Sequence, residues 1–210
     1  MSDFVRTYII NPNILAPNLT CNITGTDIKM DNLYKNQALG YTYVRYSQQL
    51  RWEIMSVAMT MQDYLDRWGV EYDIVPHPVT SSSQETAEAA HIPGDNLAKA
   101  VLMEDYRGYL MVVIPANHQV VFDQLDYELD RRLEMATEEE LSDIFLDCEV
   151  GAIPPLGEAY GIDVALDESL TNCDEIYFEA GDHSALVHMS GEDFRDLMAS
   201  AEHGNFSSHL

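Results

Sequence analysis

Along the chain, stretches with apolar residues at every third or fourth position alternate with short apolar runs bounded by Gly, Pro or Asn. From Trp52 to Trp68, the residues Ile54, Val57, Ala58, Met61, Leu65 and Trp68 mark one helical face, and Gly69 is placed to end it. Tyr72 to Val75 reads as a short strand stopped by Pro76 and Pro78. Ser82 followed by Glu85 three positions on is a capping box, so a helix is expected through Ala90, broken by Pro93 and Gly94. Leu97–Met103 and Tyr109–Ile114 are apolar enough to be central strands, and the residues between them suit a hairpin. Helices are expected over Asp123–Leu133 and Thr137–Phe145, the second capped by Thr137 with Glu140. Gly151 to Gly157, with Pro154 and Pro155, is a stiff loop. Asp163–Leu166, Glu175–Phe178 and Ala185–Met189 read as strands. Ser190 with Asp193 opens a last helix to Ala199.

Helices and strands interleave irregularly and the strand links are short. The expected architecture is therefore a single α/β domain of α+β character: a mixed, largely antiparallel central sheet flanked by helices, not a doubly wound parallel one. The first fifty residues are rich in Asn and Tyr without a sustained period. Residues 1–59 are thus expected to be an irregular N-terminal extension ending in the start of a helix, residues 60–202 the domain, and residues 203–210 a polar, frayed C-terminal tail.

Charge sharpens this division. The 210 residues carry 36 acidic and 11 basic side chains, a net −25. Residues 1–59 hold five bases (Arg6, Lys29, Lys35, Arg45, Arg51) against four acids (Asp3, Asp27, Asp31, Glu53). The remaining 6 bases and 32 acids give −26. Such a domain does not bind DNA through a broad basic face and avoids anionic membrane surfaces. No apolar run is long enough to cross a bilayer. The first residues lack the basic-then-apolar design of an export signal, and the three cysteines (Cys21, Cys148, Cys173) are scattered. A cytoplasmic location with reduced thiols is the expectation.

Three places could carry chemistry. Lys99 is the only lysine of the acidic part and lies inside an apolar strand. Its ammonium must reach something polar, either water at an edge or a site. Among so many carboxylates it should stay charged and act as a fixed cation for a carbonyl, carboxylate or phosphate. The Gly151–Gly157 loop could offer backbone amides to an oxyanion, or be an ordinary tight connection. Gly181-Asp182-His183-Ser184 fits a hairpin turn. His183 beside Ser184 is no catalytic triad, and His77 between two prolines could be a plain loop histidine. Metal-ligand spacing is missing from the seven histidines, so no metal and no cofactor are expected. Cys148 lies between Asp147 and Glu149, which disfavour a thiolate nucleophile.

Taken in order, these pieces resemble the YbaK/EbsC family, the editing domains associated with prolyl-tRNA synthetase. The carriers are His77 and the Glu85–Ala90 helix, Ile92–Leu102 around Lys99, Val112–Asn117, Gly151–Pro155 and Glu179–Leu186. They span roughly residues 60–202. The resemblance implies hydrolysis of the ester that joins a wrong amino acid to the terminal ribose of tRNA, without a covalent side-chain nucleophile. By that likeness Lys99 would anchor the 3′ end, amides near Gly151 would polarise the carbonyl, and Gly181 would belong to the catalytic turn. His77, Pro155, His183 and Ser184 would contact substrate. The partners implied are the aminoacyl-tRNA 3′ end and a synthetase. Met103, Met111 and Phe145 are candidate lining for the amino-acid pocket. Ala100 stands where members commonly carry Thr or Ser, and the −26 charge repels a polyanion. A non-catalytic binding module of the same fold, or a hydrolase of another acyl ester, would fit the same residues.

Overall fold

The structure is a computed structural model that describes residues 33–36, 41–44 and 57–210. The chain falls into two compact units, Met1–Met55 and Ser56–Leu210. In the first, β1 (Leu33–Asn36) pairs antiparallel with β2 (Tyr41–Val44), Leu33 opposite Val44. The reading of residues 1–59 as an irregular extension ending in the start of a helix did not include this pair, whose four-residue strands are too short to set up a period. Residues 52–56 of the expected first helix lie outside the described residues.

The second unit is built on two sheets. The larger has the order β11-β8-β5-β4-β7. Its centre is the hairpin of β4 (Ala98–Asp105) and β5 (Gly108–Pro115), in register from Ala98 opposite Pro115 to Asp105 opposite Gly108. β8 (Asp163–Asp167) runs parallel to β5, and β11 (Glu202–Gly204) parallel to β8, while β7 (Glu134–Met135) pairs antiparallel with β4. The smaller sheet places β10 (Ala185–Ser190) between β3 (Asp73–Pro76) and β9 (Glu175–Glu179), all antiparallel. The larger sheet is therefore mixed, with two parallel and two antiparallel pairings, and the two sheets together are largely antiparallel. A parallel bridge from Leu97 to Tyr177 links the two sheets.

Period-two alternation assigns the faces. On the larger sheet Ala98, Leu102, Met111, Val113, Val164 and Leu166 face Phe178, Ala180, Ala185, Val187 and Met189 of the smaller one, in one buried cluster. Met61 and Leu65 of α1 (Met59–Trp68) and Phe194 and Leu197 of α5 (Gly191–Leu197) fill the same cluster. The reverse face, with Met103, Leu110, Val112 and Ile114, is covered by Leu125 of α3 (Phe122–Leu129), Leu133 and Phe206. α2 (Ser83–Ala90) covers the outer face of the smaller sheet, where Ala87 meets Leu186, Leu97 and Ala116.

Local chemistry sets the helix ends. Gly69 takes φ +69° at the end of α1, as glycine does at no steric cost. α1 begins later than the periodicity suggests. Val57 bridges to Gly181 and the Ala58 amide donates to the Ala180 carbonyl, so these residues are extended. Ser82 caps α2 through the Glu85 amide, yet the Glu85 carboxylate reaches back to Ser81 instead of Ser82. The full reciprocal box appears at Thr137 and Glu140 of α4 (Glu138–Ile144). α3 stops at Leu129 because Asp130 turns left-handed, which frees Glu134 and Met135 to pair as β7. The C-terminal residues are not frayed. Phe206 is fully buried, and β12 (Ser207–His209) pairs antiparallel with β6 (His118–Val120).

Candidate active site

The two glycine segments singled out in the sequence meet. Gly151 has φ +92° and Gly181 has φ +129°, a region that side chains other than glycine's rarely enter. The Glu149 amide donates to the Gly181 carbonyl at 2.7 Å, and His183 Nε2 donates to the Val150 carbonyl at 2.9 Å. A Cβ on Gly151 would stand 3.1 Å from His183 Cε1, and one on Gly181 would stand 3.0 Å from Ala58 Cβ. Both contacts are closer than a side chain normally tolerates, so bare backbone is what lets the segments touch. His183 is itself left-handed, φ +58°, a strain fixed by its bond to Val150. Gly151 is exposed, and its amide makes no hydrogen bond among the described residues.

The neighbouring groups are sorted by their partners. Ser184 gives its amide and hydroxyl to the Asp182 carboxylate, the hydroxyl at 2.7 and 2.8 Å, so it does not face His183. Pro154 and Pro155 are buried and stiffen the loop from beneath. Cys148 lies against the Tyr160 hydroxyl at 3.3 Å. Burial pushes its thiol up to about 11 and Asp147 adds to this, which removes it as a nucleophile at neutral pH.

His77 is bound into the same end of the smaller sheet: its amide donates to the Ser184 carbonyl at 2.9 Å. Its side chain is wholly buried, so a direct contact with substrate, as the resemblance implied, does not fit this arrangement. Nδ1 lies 2.9 Å from the Pro78 carbonyl, which can only accept, so Nδ1 carries hydrogen. Nε2 stands 3.4 Å from Glu179 Oε2, and neither atom has a hydrogen bond. A protonated Nε2 would relieve the repulsion of two lone pairs facing each other there. Burial opposes the charged imidazolium. The Glu179 carboxylate, the Pro78 carbonyl and Asp182 outweigh it, and His77 titrates above its ordinary value. Thr86 donates to the other Glu179 oxygen at 3.2 Å. Sequence reasoning missed Glu179 and Thr86. The only signal was a carboxylate ending an otherwise apolar strand, and its partner lies 102 positions away.

Lys99 is half-buried on the sheet face opposite Ala98 and Ala100. Nζ donates to the carbonyls of Ala116 at 3.1 Å and His118 at 2.6 Å. Its polar partners are carbonyl dipoles, not the carboxylates expected from composition, and burial lowers the amine's pKa from its usual value. No hydrogen bond among the described residues joins it to Gly151–Pro155. Met103, Met111 and Phe145 are fully buried, with Met103 on the face opposite Met111, so the three do not line one pocket. Among the described residues no three His, Cys, Asp or Glu side chains group to hold a metal, and no helix is long and apolar enough to cross a membrane.

Residues 77–197 match the aminoacyl-tRNA editing domain, more than half of the chain. The chain belongs to that family, of which YbaK is a member. No curated protein matches it. Solved structures share the fold at low identity. One, described as a candidate trans-editing enzyme for prolyl tRNA synthetase, has a TM-score of 0.64 at 20% identity and covers 72% of this chain and 96% of its own. A scaffold protein for computationally designed epitope grafting has a TM-score of 0.62 at 17% identity, covering 73% and 97%. A candidate signal transduction protein from Marinobacter aquaeolei VT8 has a TM-score of 0.57 at 21% identity, covering 70% of this chain and 30% of its own.

Proposed function

We propose that this chain is a trans-editing hydrolase that cleaves the ester of mischarged aminoacyl-tRNA. The observation that carries this reading is the contact between the Gly151 and Gly181–His183 segments inside the region matched to the editing family. It offers the amide of exposed Gly151 where a carbonyl oxygen would gain charge, and fixed donors of this kind stabilise such charge without reorganisation. No side-chain nucleophile is invoked. Water attacks the ester carbon, the bond to the ribose oxygen breaks, and that oxygen takes the proton. Lys99, held by two carbonyls on the other sheet face, does not reach that contact itself; it supplies attraction for a nucleotide part of the substrate that extends beyond it. His77 and Glu179 act from behind, as the buried support of the turn that carries Gly181 and His183.

The cations of the domain favour a division of labour with a partner. Arg131 is engaged by Asp105 at 2.6 Å, Arg107 by the Asp130 carbonyl, Arg195 by the Thr171 and Cys173 carbonyls, and Arg67 by the Asp63 carbonyl. Only Arg131 of these is neutralised by a carboxylate, but six bases stand against 32 acids after residue 59, so a synthetase holds the body of the tRNA and this chain takes the aminoacylated end. The test is deacylation of a panel of mischarged tRNAs by the wild type and by Lys99→Ala, with and without prolyl-tRNA synthetase. Release of one class of amino acid, slowed in the variant, is expected. Equal rates for both, or no release from any tRNA, would refute the reading. A binding module without catalysis would instead give salt-sensitive tRNA binding and no turnover.

A further inference from the structure

The C-terminal strand lies outside the segment matched to the editing family, yet it pairs with the strand that carries the His118 carbonyl, one of the two that hold Lys99. The Lys99 ammonium rests on Ala116 and His118, at the link from β5 to β6. β6 is three residues long and its partner in the sheet pairing is β12, with His209 opposite His118 and Ser207 opposite Val120. Side chains and termini reinforce the pairing. His118 Nδ1 is 2.8 Å from the Ser207 hydroxyl, the Leu210 amide donates to the Asn117 carbonyl at 2.9 Å, and the Val121 amide to the Phe206 carbonyl at 2.8 Å. Asn117 Nδ2 donates to Asp95 at 2.8 Å and to His209 Nε2 at 3.1 Å. That last bond needs a lone pair on Nε2, consistent with His209 Nδ1 donating to the Leu210 carbonyl at 3.0 Å. Fully buried Phe206 pins the approach to β12 against α3 and the larger sheet. The Ala116 acceptor is fixed by its own amide, which donates to the Leu97 and Gly94 carbonyls, but the His118 acceptor sits in a three-residue strand that is poorly fixed by itself. Strand pairing and four hydrogen bonds to residues 206–210 fix it here.

We propose that residues 207–210 are a positioning element for Lys99: they clamp β6 so that the His118 carbonyl holds the ammonium in place for the nucleotide end of the substrate. Ser207 and His118 are its positioning residues, acting through that carbonyl and not on the substrate. The inference rests on the function proposed above, so its test has one arm that needs no activity.

In protein labelled with ¹⁵N-lysine, a hydrogen-bonded, water-shielded ammonium keeps its Nζ–H signal, and Lys99→Met assigns that signal by its loss. The signal is expected in the wild type. It should be lost in a chain ending at Phe206 and weakened in Ser207→Ala, with far-UV circular dichroism unchanged, and Ser207→Thr should restore it. In the activity arm the same variants raise KM for mischarged tRNA about tenfold, as loss of one fixed charged contact predicts, with kcat within about twofold. A Lys99 signal that survives truncation overturns the inference, as does an unchanged KM in an active enzyme. If the wild type releases no amino acid from any tRNA, the proposed function fails while the spectroscopic arm still decides the clamp. Should the truncated chain unfold, the Ser207 pair decides it alone.

Discussion

The buried imidazole–carboxylate pair makes the sharpest prediction, because replacing one atom type tests it. Glu179→Gln keeps the shape of the side chain and the acceptor for Thr86 but removes the charge facing His77 Nε2 at 3.4 Å. Breaking a buried pair costs about 3–5 kcal/mol when the remaining charge is trapped. Here the imidazole can release its proton and accept from the new amide, so the cost depends on pH. In the wild type the folded pKa of His77 is raised above its unfolded value of about 6.5. The stability that comes from its charge is therefore complete below about pH 6.5 and is lost as pH rises through the folded value. In the variant only burial acts strongly on the ring, the pKa falls, and acid now destabilises. The stability difference between the two proteins should be below about 1 kcal/mol at pH 8.5 and reach about 2–3 kcal/mol at pH 6, with a slope that one proton limits to about 1.4 kcal/mol per pH unit. Urea denaturation from pH 5.5 to 8.5, with m compared between the proteins, measures this. Parallel pH curves for the two proteins would show that no proton is held between His77 and Glu179.

Three further outcomes follow from single contacts. Gly181→Ala forces a side chain into φ +129° and against Ala58, so it should lose about 1–3 kcal/mol in thermal denaturation and reduce deacylation more than tenfold; a silent substitution would place the turn elsewhere. Cys148, with its thiol near 11, should be alkylated at pH 8 at about a thousandth of the rate of its thiolate, and Cys148→Ala should keep deacylation within about twofold; fast labelling would contradict the burial. Phe206→Ala should cost about 3–5 kcal/mol, visible as a lower Tm, because a wholly buried ring leaves a cavity behind; a change under 1 kcal/mol would mean that the tail is not packed.

The local elements were legible because their causes are local. The capping residues Ser82, Thr137 and Ser190, the terminator Gly69 and the apolar runs of β4 and β5 act within a few positions, and the structure has an element at each. The errors came where distant chain decides. Ala58 continues a helical period, but the Ala180 carbonyl takes its amide and draws it into extended pairing. The polar tail around Phe206 has no period of its own, and β8 and β6 turn it into strands.

The site divides in the same way. Sequence alone determined that Lys99 is unusual, a lone lysine in an apolar strand, whereas Gly151 and Gly181 read equally well as an ordinary loop and turn and became candidates only through the family resemblance. Which of them meet was decided only by the fold. The pairing of β3, β9 and β10 brings His77 to Glu179 and Glu149 to Gly181, whereas alternation on β4 sends Lys99 to the other sheet face and onto the carbonyls of Ala116 and His118. Side-chain chemistry can be read from one position, but the facing of His77 and Glu179 across a buried gap exists only because the strand pairing brings residues 102 positions apart together and shields both from water.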